Sequence, residues 1–156
     1  MKIKITLAVL SALLILAACN NSTKKPVESD SVKSLIKSLE DSVMDGHNIG
    51  MARMPKINKS QEKVVRILDS INKLPASGQK AAAGLKTEME GLLKELNYAE
   101  TAMDKWMMEF NYDSAANDVQ QRIKYLNDEK VKVDKMKEAI LSSLAKADTL
   151  LKKDLP

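Results

Sequence analysis

The stretch LKTEMEGLLKELNYAETAMDKWMMEF, residues 85–110, decides the fold. Its apolar residues Leu85, Met89, Leu92, Leu96, Ala99, Met103, Trp106 and Phe110 recur at steps of three and four, the spacing that gathers side chains onto one face of an α-helix. Nothing in it alternates with the period of two that a half-buried strand requires. The same spacing appears on both sides. Upstream it runs through Val32, Leu35, Leu39, Val43, Gly46 and Gly50, then Ile57, Val64, Ile67, Ile71 and Leu74. Downstream it runs through Val119, Ile123, Leu126, Val133, Met136, Ile140, Leu144, Ala147 and Leu151. Three amphipathic segments of this kind predict an all-α protein.

The segments are separated by sharp breaks. Leu74-Pro75-Ala76-Ser77-Gly78 holds a proline, a glycine and Ser77 as an N-cap, and Asn111-Tyr112-Asp113-Ser114 supplies further capping side chains. Connections this short force successive helices antiparallel, so the sequence predicts an elongated antiparallel three-helix bundle. Pro55 removes a backbone donor and clashes with the preceding turn, which predicts a first helix kinked or split near Met51 to Met54. Gly46 and Gly50 either allow a close helix approach or mark a weak point beside that proline. By charge the helices run basic, acidic, basic. Glu62 with Arg66, Glu90 with Lys94 and Asp128 with Lys132 are spaced for i,i+4 ion pairs contributing about 0.2–0.5 kcal/mol each.

The N-terminus sets the address. Lys2 and Lys4, the apolar run from Ile5 to Leu16 and the sequence Leu16-Ala17-Ala18-Cys19 form a lipoprotein signal: cations to hold the start in the cytoplasm, a hydrophobic stretch short for a span, and small residues before a thiol. The expected organisation is a cleaved lipoprotein signal peptide over residues 1–18, a flexible tether over 19–28 beginning at a lipidated Cys19, and a helical bundle domain over 29–156. Residues 20–28 are polar and cannot bury enough surface to offset their ordering entropy. Asn20 stands where a retention signal of enteric bacteria has aspartate, and Asn20 to Lys25 lacks the acidic cluster of a surface-export signal. That likeness favours the periplasmic face of the outer membrane. Acyl chains on Cys19 would make the membrane a permanent partner through their buried methylenes.

Composition excludes several functions. Cys19 is the single cysteine, so lipidation leaves no thiol for a disulfide, a zinc site or a nucleophile. The chain has 25 basic and 21 acidic side chains, and loss of Lys2 and Lys4 leaves 23 against 21. A nearly neutral domain with 3% aromatic residues lacks the basic, aromatic-interleaved face of a nucleic-acid binder. No Ser/His/Asp arrangement, paired-carboxylate cleft or phosphate-binding glycine loop is present, so no enzyme and no cofactor are predicted.

One cluster bears on chemistry. Met44, His47, Met51 and Met54 share a helical face at i, i+3, i+7 and i+10, with Met103, Met107 and Met108 on the second helix. Thioethers with an imidazole suit Cu(I) or Ag(I), which makes Met44, His47 and Met51 an alternative metal set; methionine at this spacing is also ordinary core filler. Trp106 and Phe110 continue the apolar stripe of their helix and read as core near one end of the bundle, with Met107 at its edge.

The segment Ser42-Val43-Met44-Asp45-Gly46-His47-Asn48-Ile49-Gly50-Met51-Ala52-Arg53-Met54-Pro55-Lys56-Ile57, the later Met103-Asp104-Lys105-Trp106-Met107-Met108-Glu109-Phe110, and Tyr125-Leu126-Asn127-Asp128-Glu129-Lys130 together resemble a family of small Bacteroidota lipoproteins labelled "viral A-type inclusion protein". Asn48 departs from the aspartate that follows the histidine in that pattern, which removes a carboxylate from beside His47. The resemblance implies an all-helical envelope lipoprotein and carries no established activity. The functional expectation is a lipid-anchored, non-enzymatic bundle that presents its surface to an envelope protein or a second copy of itself, or serves as a periplasmic spacer.

Overall fold

A computed structural model of the chain describes residues 29–152. The predicted signal peptide, Cys19 and the tether to residue 28 lie outside the described residues, as do residues 153–156. Regular structure consists of α1 (Asp30–Met51), α2 (Met54–Asn72), the short α3 (Ala76–Ala81), α4 (Ala83–Glu109) and α5 (Val119–Leu150), with no strand among the described residues. None of these helices is long and apolar enough to cross a membrane.

The breaks follow from local chemistry. Pro55 falls in the first turn of α2, where its missing N–H costs no helical bond. The chain splits just before it, across Ala52 and Arg53, both of which keep right-handed helical dihedrals. Ala52 N donates to Asn48 O and Arg53 N to Gly50 O, closing α1, while Ile57 N donates to Arg53 O to open α2. Burial therefore stays in phase across the split: Val43, Gly46 and Gly50 on α1 are followed by Ile57, Ser60, Val64 and Ile71 on α2.

Two of the expected caps are different in the structure. Ser77 is not an N-cap but sits inside α3; Pro75 holds the cap position with φ −57° and ψ 158°, and its carbonyl accepts from Gly78 N and Gln79 N. Proline is held at a φ of about −65° by its ring and carries no side-chain acceptor, so α3 starts without a side-chain cap. Gln79 Nε2 folds back to donate to the Asn72 and Leu74 carbonyls at the end of α2. After α4, Asn111 Oδ1 accepts from Asp113 N and organises the loop, but the cap of α5 is Asp118, whose Oδ1 accepts from Gln121 N at 3.0 Å.

Helix directions are set by pairs across the interfaces. Glu40 meets Arg122, Gly50 lies against Ile140, and Lys56 meets Asp148, so α1 and α2 run alongside α5 in the same sense. Asn72 meets Lys86, Gln61 meets Asn97 and Glu95 meets Lys146, so α4 runs in the opposite sense to both. The core is one continuous seam of Val43, Ile57 and Val64, then Met89, Leu92, Leu96, Ala99 and Met103, then Val133, Met136, Ile140 and Ala147. Truncating a fully buried leucine such as Leu92 or Leu96 to alanine costs about 2–5 kcal/mol in seams of this kind.

Gly46 and Gly50 are points of close approach. A Cβ on Gly46 would sit 2.9 Å from Val133 Cγ1, and one on Gly50 would sit 2.6 Å from Met103 Cε and 3.1 Å from Ile140 Cδ1. Both glycines are buried.

Candidate functional site

Apart from Tyr98, the aromatic side chains of the described residues gather where α1, α4 and α5 meet the loop of residues 110–118. Trp106 stacks on Phe110 with ring centroids 4.7 Å apart, His47 lies tilted against the indole at 5.2 Å, and Phe110 continues to Tyr125 at 6.2 Å and Tyr112 at 6.5 Å. The reason for this local order is the heptad-like spacing of α4, which leaves Trp106 and Phe110 at the end of its buried stripe, facing the flank of α1 that carries His47.

A buried ion pair closes the cluster. The Arg122 side chain is 6% exposed and donates to Glu40 Oε1 at 2.6 Å and to the Ser114 carbonyl at 2.9 Å. Its guanidinium also lies over the rings of Tyr112 at 5.6 Å and Tyr125 at 5.8 Å, within cation–π range. Tyr125 in turn accepts from Asn111 N through its hydroxyl at 2.8 Å. One arginine thus joins α1, α5 and the connecting loop. Ala115 in that loop has φ 57°, a left-handed conformation strained for alanine. The indole Nε1 of Trp106 is buried with no hydrogen-bond partner.

Outside the ion pair lies an open pocket of about 290 Å³ bordered by Lys33, Lys37, Glu40, Asp41, Met44 and Tyr112. Two of its charges pair within it: the Asp41 carboxylate that accepts from Lys37 holds the lysine ammonium above its ordinary range. No pairing of nucleophile with base is present there.

The members of the methionine–histidine set differ in their surroundings. Met44 is half-buried in the wall of the pocket, His47 is half-buried on Trp106 with Nδ1 3.2 Å from Asn48 Oδ1, and Met51 is exposed at the end of α1. All three lie on one flank of α1, beside the buried row of Val43, Gly46 and Gly50. Met54 packs against the core, Met103 is fully buried, and Met107 and Met108 point outward. Among the described residues no group of three or more His, Cys, Asp or Glu converges on a metal position. Trp106 and Phe110 pack as the sequence expects, Trp106 at 5% exposure.

The expected i,i+4 pairs are replaced by others. Glu90 lies 4.0 Å from Lys86 rather than beside Lys94, Asp128 pairs with Lys124 rather than Lys132, and Lys132 turns to Glu129. Each acid has a lysine one turn away on either side, and the preference between the two orders is only a few tenths of a kcal/mol. No carboxylate of the described residues lies within 4.0 Å of the Arg66 guanidinium, so the pair with Glu62 is absent.

Arg122 and Glu129 are the buried charged residues that the apolar pattern passes over, beside the buried serines Ser60 and Ser143. The signal was present: 122, 129, 136 and 143 are spaced by seven, and all four positions are buried. Comparison with protein-family models, curated proteins and solved structures found no match to this chain.

Proposed function

We propose that this chain is an envelope lipoprotein of the family it resembles, acylated at Cys19 and held at the periplasmic face of the outer membrane, whose helices form an elongated antiparallel three-rod bundle that works by surface contact and catalyses nothing. The observation that carries this reading is the helix order. Asp30, where the tether of residues 19–28 joins, lies at one end of α1, and the α2–α3–α4 junction lies at the other end of the α1–α2 line. At 1.5 Å per residue, Asp30 to Asn72 spans about 60 Å. A body of that length fixed at one end carries its far end well clear of the headgroups. The Arg122–Glu40 pair supports a structural use of polarity, because it ties α5 to α1 at the inner edge of the pocket.

The test is in the native envelope. Mass spectrometry of the purified N-terminus should find a diacylated or triacylated Cys19, and Cys19→Ala should release the protein from the membrane fraction without altering its ellipticity. An unprocessed N-terminus, or membrane association indifferent to Cys19→Ala, would overturn the proposal.

A second reading is soft-metal binding by Met44, His47 and Met51, and what favours it is that all three share one flank of α1 outside the fully buried core. Titration with Ag(I) decides it: a micromolar site abolished by His47→Ala supports the reading, and identical weak uptake by both proteins removes it.

A further inference from the structure

α5 stops before its neighbours do. Its last contacts with α2 are the Lys56–Asp148 ion pair at 2.7 Å and the bond from Lys63 Nζ to the Leu151 carbonyl at 2.8 Å. Yet α2 continues nine residues past Lys63 to Asn72, about 14 Å at 1.5 Å per residue. On the other neighbour, Lys146 meets Glu95, so the first turns of α4, from Ala83, also run past the end of α5. Over this length α2 and α4 lie together without α5 beside them.

The space left there is a groove of about 390 Å³, floored by Ile67, Ile71, Leu74 and Leu85, with Lys63 and Arg66 on its rim. Leu74, two residues past the end of α2, is 41% exposed, although it continues the apolar spacing of that helix. The volume falls within the range of true ligand sites, and its lining comes from α2 and the start of α4 with the turn between them. Its rim is positive and not neutralised from within: Arg66 has no carboxylate within 4.0 Å among the described residues, and Lys63 is bonded to a carbonyl.

We infer that this groove is the docking site for an acidic amphipathic helix of another envelope protein, which would complete the missing third rod. The inference rests on the contact role proposed above and assigns it a place and a partner chemistry. Apolar side chains at i, i+3 or i+4 and i+7 of the incoming helix would enter between Ile67, Ile71, Leu74 and Leu85, and its flanking carboxylates would meet Lys63 and Arg66.

The test uses the acylated full-length protein in nanodiscs and a fluorescein-labelled 14-residue helical peptide with leucines at three-and-four spacing and glutamate flanks. The wild-type protein should bind it, the lysine-flanked version at least tenfold more weakly, and Arg66→Glu and Leu74→Asp should each lower affinity at least tenfold. Met108→Asp, at an exposed position far from the groove, should bind like wild type. Circular dichroism confirms the fold of each variant, and Arg66→Glu, a surface change, keeps the test decisive should Leu74→Asp unfold. No binding by wild type, equal binding of the two peptides, or variants that bind as wild type would overturn the inference. Displacement by oleate at stoichiometric concentration would assign the groove to an amphiphile, and tenfold tighter binding on deletion of residues 153–156 would assign it to the chain's own end; either overturns it as well. Acylation at Cys19, measured on the same sample, keeps failure of the anchoring proposal distinct from failure of this one.

Discussion

At the scale of single residues, the costly positions are those where charge or bulk is trapped. Arg122 is buried and satisfied by Glu40, the Ser114 carbonyl and two tyrosine faces. Removing its carboxylate partner leaves a buried cation with only a carbonyl and two ring faces, so Glu40→Ala is expected to destabilise the protein, by about 3 kcal/mol at most because the pair is partly solvated. Replacing Arg122 and Glu40 together, by methionine and leucine, should cost less than Glu40→Ala alone; chemical denaturation of the variants reads both. The two α1 glycines separate in a similar way. At Gly46 the obstacle is the branched Val133 side chain on a neighbouring helix, which has little room to turn, so Gly46→Ala should lose about 1–2 kcal/mol despite the better helix propensity of alanine. At Gly50 the nearest atom is the terminal methyl of Met103, a flexible end that can swing aside. Gly50→Ala should lie within about 1 kcal/mol of wild type, and equal losses at the two glycines would contradict this account.

At the scale of elements, α4 carries two glycines with no steric duty. A Cβ on Gly84 or Gly91 would meet nothing within 4 Å. Each alanine substitution should stabilise α4 by about 1 kcal/mol, seen as a raised thermal midpoint that adds in the double variant. Much of the helix pattern was legible in the sequence, for a physical reason: apolar burial repeats at three and four, and that repeat survives without knowledge of any neighbour. The split at Pro55 was legible too, because proline acts on its own backbone. What was not legible depended on competition between near-equal local choices. Ser77 and Pro75 could both open α3, Asn111 and Asp118 could both cap, and each acid had two lysines within reach. The candidate cluster was half legible: Trp106 and Phe110 stood in the stripe, whereas Arg122 and Glu129 were hidden by the assumption that buried positions are apolar. The groove beyond α5 could not be read at all, since it arises from the relative register of three helices.

At the scale of the whole molecule, ion pairs between lysines and carboxylates recur over the surface, and the shifted groups among them, Asp134 and Asp148 at the acid end and Lys37 and Lys132 at the alkaline end, give stability a pH dependence. The hydrogen bond from Lys130, joined by that from Lys137, holds the Asp134 carboxyl below its ordinary range. A depressed carboxylate contributes stability that is present above its unfolded pKa of about 3.9 and is lost as pH falls through the lower folded value. Conversely, the hydrogen bond to Glu129 raises the Lys132 ammonium, and its contribution is present below the unfolded lysine pKa of about 10.4 and is lost as pH rises through the higher folded value. The thermal midpoint should therefore be level between the two windows and fall at both extremes. Asp134→Asn should lessen the acid slope and leave the alkaline slope unchanged; an unaltered acid limb in that variant would refute the assignment. Both groups are partly solvated, so the effect is modest and shrinks with salt.

The stack of His47, Trp106 and Phe110 has a practical consequence. The chain contains one tryptophan, and it sits in the half of the molecule that holds the start of α5, opposite the groove. Its ultraviolet emission is consequently a private signal from one extremity, while ellipticity sums over every helix. Should heating loosen the tether-side extremity first, the indole spectrum will shift to the red at a temperature where the helical signal still stands.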